Sequence, residues 1–170
     1  IGFELLNGKI QDTNGKWIIE QLLPYGVQIS RITIIGDVLD DISSSIRETI
    51  LRKPQYLFTS GGLGPTFDDM TLEGVAKGLH PPKPLEVDQV ALELVIKKYL
   101  DRFPNKPFDE VITPARKKMA NLPKGGIPLS NREGTAPGVV IPPNLTNGFT
   151  KIICLPGVPI ELKAIFQDHV

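Results

Sequence analysis

Tyr56-Leu57-Phe58-Thr59-Ser60-Gly61-Gly62-Leu63-Gly64-Pro65-Thr66-Phe67-Asp68-Asp69-Met70-Thr71 passes from an apolar, aromatic stretch through three closely spaced glycines to paired aspartates and a helix start. Tyr56 to Thr59 reads as a short buried strand, because aromatic and β-branched residues suit a pleated surface packed on both faces. Thr71 to Leu79 reads as a helix. A glycine-rich turn between them sits at the carboxyl end of a strand, where open α/β sheets bind ligands. Upstream, a helical period starts at Asn14, runs through Trp17, Ile18, Gln21 and Leu22, and stops at Pro24-Tyr25-Gly26. Val27 to Ile35 then predicts a strand, Asp37 ends it, and Asp40 to Arg52 predicts a helix closed by Pro54. Ile1-Gly2 reads as the end of a strand, so the first residue of this sequence is expected to lie inside a longer chain.

Strand, helix, strand, helix, strand, loop, helix is the order that gives parallel pairing with right-handed crossovers. The expected fold is therefore α/β, a three-layer α/β/α sandwich with a mainly parallel or mixed central sheet. Downstream the rhythm breaks. Pro81-Pro82-Lys83-Pro84 is a stiff connector, and Val87, Val90, Ala91, Leu94 and Val95 mark a long amphipathic helix whose apolar stripe calls for a partner subunit or the chain's own core. A second helical stretch spans Asp109 to Met119, with Pro114 in a first turn. Residues 81–122 thus form a helical excursion within one domain of residues 1–170, and a homo-oligomer formed through this excursion is expected. Gly138 to Ile141 and Lys151 to Leu155 return as strands, and Pro159 to Phe166 opens the last helix. Trp17 and Tyr25 are assigned to packing, and His80 and His169 to structural positions.

Composition excludes several classes. Nineteen Lys and Arg balance nineteen Asp and Glu, which leaves no overall electrostatic footprint for nucleic acid. Lys97, Lys98, Arg102, Lys106, Arg116, Lys117 and Lys118 cluster locally and read as a solvated helical face. No uncharged apolar run is long enough for a membrane span, and no signal or lipidation motif is visible, so a cytoplasmic protein is expected. A single cysteine, Cys154, cannot form an internal disulfide and lies in a buried strand. The unusual count is sixteen glycines and sixteen prolines, which asks whether these residues mark turns or a ligand approached closely by backbone.

The glycine loop answers in part. Residues without Cβ atoms let N–H groups approach an anionic group, and a helix N-terminus follows. The loop lacks the Gly-Lys-Ser/Thr of a P-loop, and Phe67 occupies the last position of a dinucleotide fingerprint. Asp68 and Asp69 place two carboxylates beside the expected phosphates, which calls for a cation between them. The competing reading is helix capping.

Thr59 to Asp69 resembles the signature of the molybdopterin-binding domain family, the MogA/MoaB-like domain, in the version found in competence/damage-inducible proteins of the CinA type. Gly2-Phe3-Glu4-Leu5-Leu6-Asn7-Gly8 with Asp12-Thr13-Asn14 is similar to the family's opening. Asn131-Arg132-Glu133-Gly134-Thr135-Ala136-Pro137-Gly138 resembles its Asn-x-x-Gly-Thr-Ala-Pro-Gly segment, and Leu155-Pro156-Gly157-Val158-Pro159-Ile160-Glu161-Leu162 its Leu-Pro-Gly-Val-Pro-x-Glu loop. The four stretches span nearly the whole chain in the family's order.

The resemblance implies a metal-dependent pyrophosphatase acting on ADP-ribose or a similar nucleoside diphosphate. Asp69 and Asp37 would be its catalytic and cation-holding carboxylates, with Asp68 in support and Mg²⁺ or Co²⁺ as the cation, K⁺ being a further candidate. Ser60, Gly61, Gly62, Gly64, Pro65 and Thr66 would hold phosphate oxygens. Asn131, Gly134, Thr135, Pro156 and Gly157 would border the ligand, and Glu4, Asn14 and Glu161 would form the rim. A nucleotide or a pterin is the expected small-molecule partner. Two alternatives remain open. One is molybdopterin binding and adenylylation, which the residues Thr66, Phe67 and Asp68 fit less well, because that branch often carries basic residues there. The other is a non-catalytic binding or oligomerisation module. The amidase domain that CinA-type proteins often carry after this one is not expected within these 170 residues.

Overall fold

The computed structural model describes residues 1–170. In chain order its helices are α1 (Phe3–Leu6), α2 (Asn14–Leu22), α3 (Leu39–Leu51), α4 (Thr71–Gly78), α5 (Gln89–Arg102), α6 (Phe108–Val111), α7 (Pro114–Lys118) and α8 (Pro159–His169). Its strands are β1 (Tyr56–Ser60), β2 (Leu85–Val87), β3 (Asn121–Pro123), β4 (Ile127–Leu129), β5 (Gly138–Ile141) and β6 (Lys151–Leu155). Four of them form the central sheet in the order β1-β6-β5-β4.

Alternation along β6 creates the layers. Ile152 and Cys154 join a core with Ile42 and Ile46 of α3, Val75 of α4 and Val95 of α5. Ile153 and Leu155 point the other way, into a second core with Ile18 of α2 and Leu162, Ile165 and Phe166 of α8. Each such side chain contributes about 1.5–3 kcal/mol by leaving water, so a strand apolar on both faces recruits helices to both. Trp17 closes the second core edge-on against Phe166, with ring centroids 5.3 Å apart. α3 and α4 pack unusually close. A Cβ on Gly74 would lie 2.3 Å from Ile42 Cγ2, and one on Gly78 2.7 Å from the Ser43 carbonyl oxygen.

The three-layer α/β architecture is as the sequence implies, and of the two sheet forms expected it is the mixed one that forms. Only β1 and β6 run parallel, whereas β5 pairs antiparallel with both β6 and β4. The segments joining β4 to β5 and β5 to β6 are too short for the dozen or more residues a parallel crossover needs.

Val27 to Ile35 does not form the expected strand. It carries no regular secondary structure and pairs with no strand, and Ile32 remains 54% exposed. It faces the free edge of β1 across a trough and is tied down mainly at its ends, by Val27 N–H to Leu22 O at 3.4 Å and Gly2 N–H to Ile35 O at 3.0 Å. A β-branched run becomes a strand only through pairing and packing, and no ladder reaches this one. Ile1-Gly2 is likewise not strand but bridges the head of the trough, the Ile1 amine donating to Ser60 O at 2.8 Å. Tyr25, assigned to packing, is 83% exposed at the end of a 3-10 turn closed by Gly26.

Residues 81–122 are less purely helical than expected, because β2 and β3 form an antiparallel ladder. The stretch from Asp109 to Met119 divides into α6 and α7, where Thr113 Oγ1 accepts the Arg116 N–H and Pro114 opens the new helix. Of the expected apolar stripe, Ala91 and Val95 are buried in the main core together with Tyr99, whereas Val87, in β2, and Val90 remain more than half exposed. No helix is long and apolar enough to cross a membrane.

Candidate functional site

The site begins where β1 ends. Gly61 N–H extends the parallel ladder by one bond, to Leu155 O at 3.0 Å. The chain then turns through Gly61 at φ 101° and Gly62 at φ 67°, a region that side chains with a Cβ occupy only at a cost. Space is equally restricted. A Cβ on Gly61 would meet Ile1 O at 2.3 Å, and one on Gly62 would meet Thr71 Oγ1 at 2.3 Å. Thr71, fully buried, staples this turn to the start of α4 by donating from Oγ1 to Gly61 O at 2.8 Å and from N–H to Gly62 O at 3.1 Å.

Thr66 is the hub of the second half of the loop. Its N–H donates to Asp69 Oδ2 at 2.9 Å, and its Oγ1 lies 2.5 Å from both Asp69 Oδ2 and Asp68 Oδ1. A hydroxyl carries one proton, so it can satisfy only one of these carboxylates at a time. The Thr66 hydroxyl, a backbone N–H and Lys118 hold the Asp68 carboxyl below its ordinary pKa. Gly64 permits the arrangement, since a Cβ there would lie 2.6 Å from Asp69 Oδ2.

The other motifs converge on this loop. Pro156 and Gly157 follow β6, and a Cβ on Gly157 would be 3.3 Å from Gly61 Cα. Asn14, at the first turn of α2, clips the two loops together by donating to Ser60 Oγ at 2.9 Å and Gly157 O at 2.7 Å. Asn131 anchors the third segment: Nδ2 donates to Ala136 O at 2.9 Å and Glu161 Oε2 at 2.8 Å, and Oδ1 accepts N–H groups of Glu133 and Gly134 at 3.1 and 2.9 Å. Gly134 lies under the Glu161 carboxyl, which a Cβ would strike at 2.1 Å.

A cavity of about 1390 Å³ opens beside these loops and continues along the trough between β1 and residues 27–35. Of the residues expected at the site, Glu4, Asn14, Asp37, Ser60 to Gly62, Gly64, Pro65, Asp68, Asp69, Thr135, Pro156, Gly157 and Glu161 line it. Thr66, Asn131 and Gly134 do not. Thr66 acts through the aspartates, while Asn131 and Gly134 lie behind Thr135 and border a separate cavity of about 320 Å³ with Lys98 and Arg132. Asp37 accepts the Phe3 N–H at 3.0 Å. It shares the cavity with Asp68 and Asp69 but forms no cluster of three metal-ligating side chains with them.

Charge around the cavity is lopsided. Glu4, Asp12, Asp37, Glu48, Asp68, Asp69 and Glu161 line it, against only Arg31 and Arg52. Two contributors escaped the sequence reading. Thr71 looked like an ordinary helix start. Lys118, read as part of a solvated face, donates to Thr66 O at 2.5 Å from 52 residues away, and nothing in local sequence signals that contact.

A loop of glycines at the carboxyl end of a sheet strand, bordered by two further small-residue loops and a cavity, is the arrangement at which open α/β domains bind ligands. The whole chain, residues 1–170, matches the model of a family described as a probable molybdopterin binding domain, and it belongs to that family. A protein of Sulfurisphaera tokodaii is 39% identical over 170 residues, covering all of this chain and 60% of its own length; the chain thus spans about three fifths of that relative. The crystal structure of the CinA protein of Thermoplasma acidophilum, whose function is given as unknown, superposes with a TM-score of 0.83 at 37% identity, covering 98% of this chain and 91% of that one. The molybdopterin biosynthesis Mog protein of Mycobacterium ulcerans shares the fold at a TM-score of 0.59 and 17% identity, covering 98% and 85%.

Proposed function

We propose that this domain is a metal-dependent hydrolase of nucleoside diphosphate derivatives of the ADP-ribose type. One observation carries the reading: the glycine loop stands in a cavity lined by seven carboxylates and only two arginines. A bare diphosphate would be repelled there, whereas a diphosphate carrying a divalent cation would not.

The donor set fits such a cation. Thr66 Oγ1 has one proton for two carboxylates at 2.5 Å, so one of the two oxygens lacks that donor while both negative charges remain for a hard cation to meet. Two carboxylates with no third ligand suit Mg²⁺, which takes one or two carboxylates and completes its sphere with water and substrate phosphate. Asp69 and Asp68, brought together on Thr66, would hold it; Asp37, expected as the second holder, lines the same cavity but forms no three-ligand cluster with them. Bound there, the cation supplies charge neutralisation on the diphosphate and activation of the attacking water. The protein does the rest. N–H groups of Gly62 to Gly64 orient phosphate oxygens, the Gly61 N–H being held by Leu155 O, Asn14 fixes the spacing of the glycine and Pro156-Gly157 loops, and Thr66 keeps the aspartates aimed. Water attacks one phosphorus, the bridging P–O bond breaks, and two phosphomonoesters leave.

Turnover of ADP-ribose with Mg²⁺ or Co²⁺, read by release of AMP, tests this. Asp69→Asn should lower the rate at least about 100-fold, as loss of a well-placed charge at a reacting centre does, with the fold intact by circular dichroism. Unchanged turnover in that variant would overturn the assignment. A second reading, molybdopterin binding and adenylylation, is favoured by the family description and the Mog-like fold. Incubation with molybdopterin and ATP separates it from the first.

A further inference from the structure

We propose that Lys118 is a positioning residue of this site, reaching from the helical excursion to hold Thr66 and, through it, the Asp68 and Asp69 carboxylates. The inference rests on the glycine loop being the ligand site, but not on the identity of the ligand.

Lys118 is the last residue of α7, and its Nζ donates to the Thr66 carbonyl at 2.5 Å. The same carbonyl accepts the Asp69 N–H at 3.3 Å, so the ammonium closes a turn in which Thr66 binds Asp69 with its own N–H and hydroxyl. Lys118 forms no ion pair elsewhere among the five in the molecule, so its charge is committed to this loop. The position is fixed from behind, because Met119 and Ala120 are buried in the main core. Its neighbours differ. The Arg116 guanidinium packs 4.2 Å from the Tyr99 ring centroid and bonds Val111 O, while Lys117 is exposed. The basic run therefore holds three distinct roles, only one of which reaches the loop. It also gives the excursion a purpose: a cation is delivered behind an acidic loop that has no basic residue of its own.

Hydrogen exchange and steady-state kinetics test the assignment together. Lys118→Met keeps the side-chain stem and removes the charge, Lys118→Arg restores a cation, and Lys117→Met is the control. Lys118→Met should speed amide exchange across residues 61–70 severalfold, leaving β5 and β6 protected. With ADP-ribose and Mg²⁺ as probe it should lower kcat about tenfold, the scale of one lost charge-assisted hydrogen bond, with KM within twofold. Lys118→Arg should recover most of both effects, and Lys117→Met should change neither. Unchanged loop exchange in Lys118→Met overturns the proposal, as does failure of arginine to restore protection. A rise in KM alone also overturns it, because it would place the ammonium on the ligand. Absence of ADP-ribose hydrolysis by the unaltered protein would defeat the hydrolase reading, while the exchange measurement still decides the role of Lys118.

Discussion

Replacing two neighbouring glycines by alanine should separate the fold from the site. At Gly62 the backbone lies at φ 67°, and an added Cβ would sit 2.3 Å from Thr71 Oγ1. The left-handed conformation alone costs roughly 1–2 kcal/mol for a residue with a Cβ. Thr71 is fully buried and cannot swing aside without surrendering its bond to Gly61 O, and a buried polar pair left unmade costs about 1–3 kcal/mol more. Gly62→Ala should therefore lose about 2–5 kcal/mol, which at about 2–4 °C per kcal/mol for a domain of this size lowers Tm by roughly 5–15 °C. Gly64 has no positive φ, and its added Cβ meets the Asp69 carboxylate first, with Oδ2 at 2.6 Å and Cγ at 3.1 Å. That carboxylate can rotate toward solvent at little cost to the fold, but it then leaves Thr66. Gly64→Ala should keep its Tm within about 3 °C yet lose 10-fold or more in ADP-ribose turnover, because sub-ångström misplacement of a reacting group has that scale of effect. Thermal denaturation of both variants decides the matter. Equal melting temperatures for the two, whether both low or both unchanged, would refute the reasoning.

Two further predictions concern buried groups. Asn131→Asp replaces an amide that donates to Ala136 O and Glu161 Oε2 with a carboxylate facing both oxygens; at pH 7 this should cost about 3 kcal/mol or more. Melts at pH 7 and pH 4 check it, since protonation at pH 4 should recover part of the loss. Cys154 is completely buried, and burial pushes its thiol up to about 11 from an ordinary 9.0. The folded state thus holds a proton that the unfolded state releases above pH 9. Stability is full below that value and falls between pH 9 and 11, by about 2–3 kcal/mol at most. The difference in stability between the unaltered protein and Cys154→Ala, followed by urea denaturation across this range, measures it. At pH 8 a thiol reagent should label Cys154 no faster than the protein unfolds.

Apolar period and turn chemistry are local properties, and the elements they determine were legible. α2, α3, α4 and β6 lie close to where the spacing of isoleucines, leucines and terminating Pro or Gly residues puts them. The glycines and prolines were legible in a second sense. Those of the Gly61–Pro65 and Pro156–Pro159 segments come together because the carboxyl ends of β1 and β6 are adjacent in a parallel pair, and Gly134–Gly138 joins them because the start of β5 lies antiparallel beside the end of β6. Strand direction was legible only in part: β-branched residues serve parallel and antiparallel ladders alike, and although the short connection between 138–141 and 151–155 excludes a parallel crossover, β4 gave no signal of its own. The fate of Val27 to Ile35 was not legible, because its propensity is expressed only through a neighbour to pair with.

The sequence by itself determined that residues 59–69 make an anion-ready loop with two carboxylates, because glycine geometry and charge act over a few residues. Only the tertiary structure decided what holds those carboxylates. Thr66 turns on both of them, Lys118 arrives from the far side of the excursion, and Asn131 acts behind the ligand wall instead of on it. The Thr66 contacts are local, but those of Lys118 and Asn131 join residues 52 and 30 positions apart, and their energies depend on distances of a few ångströms that no local pattern encodes.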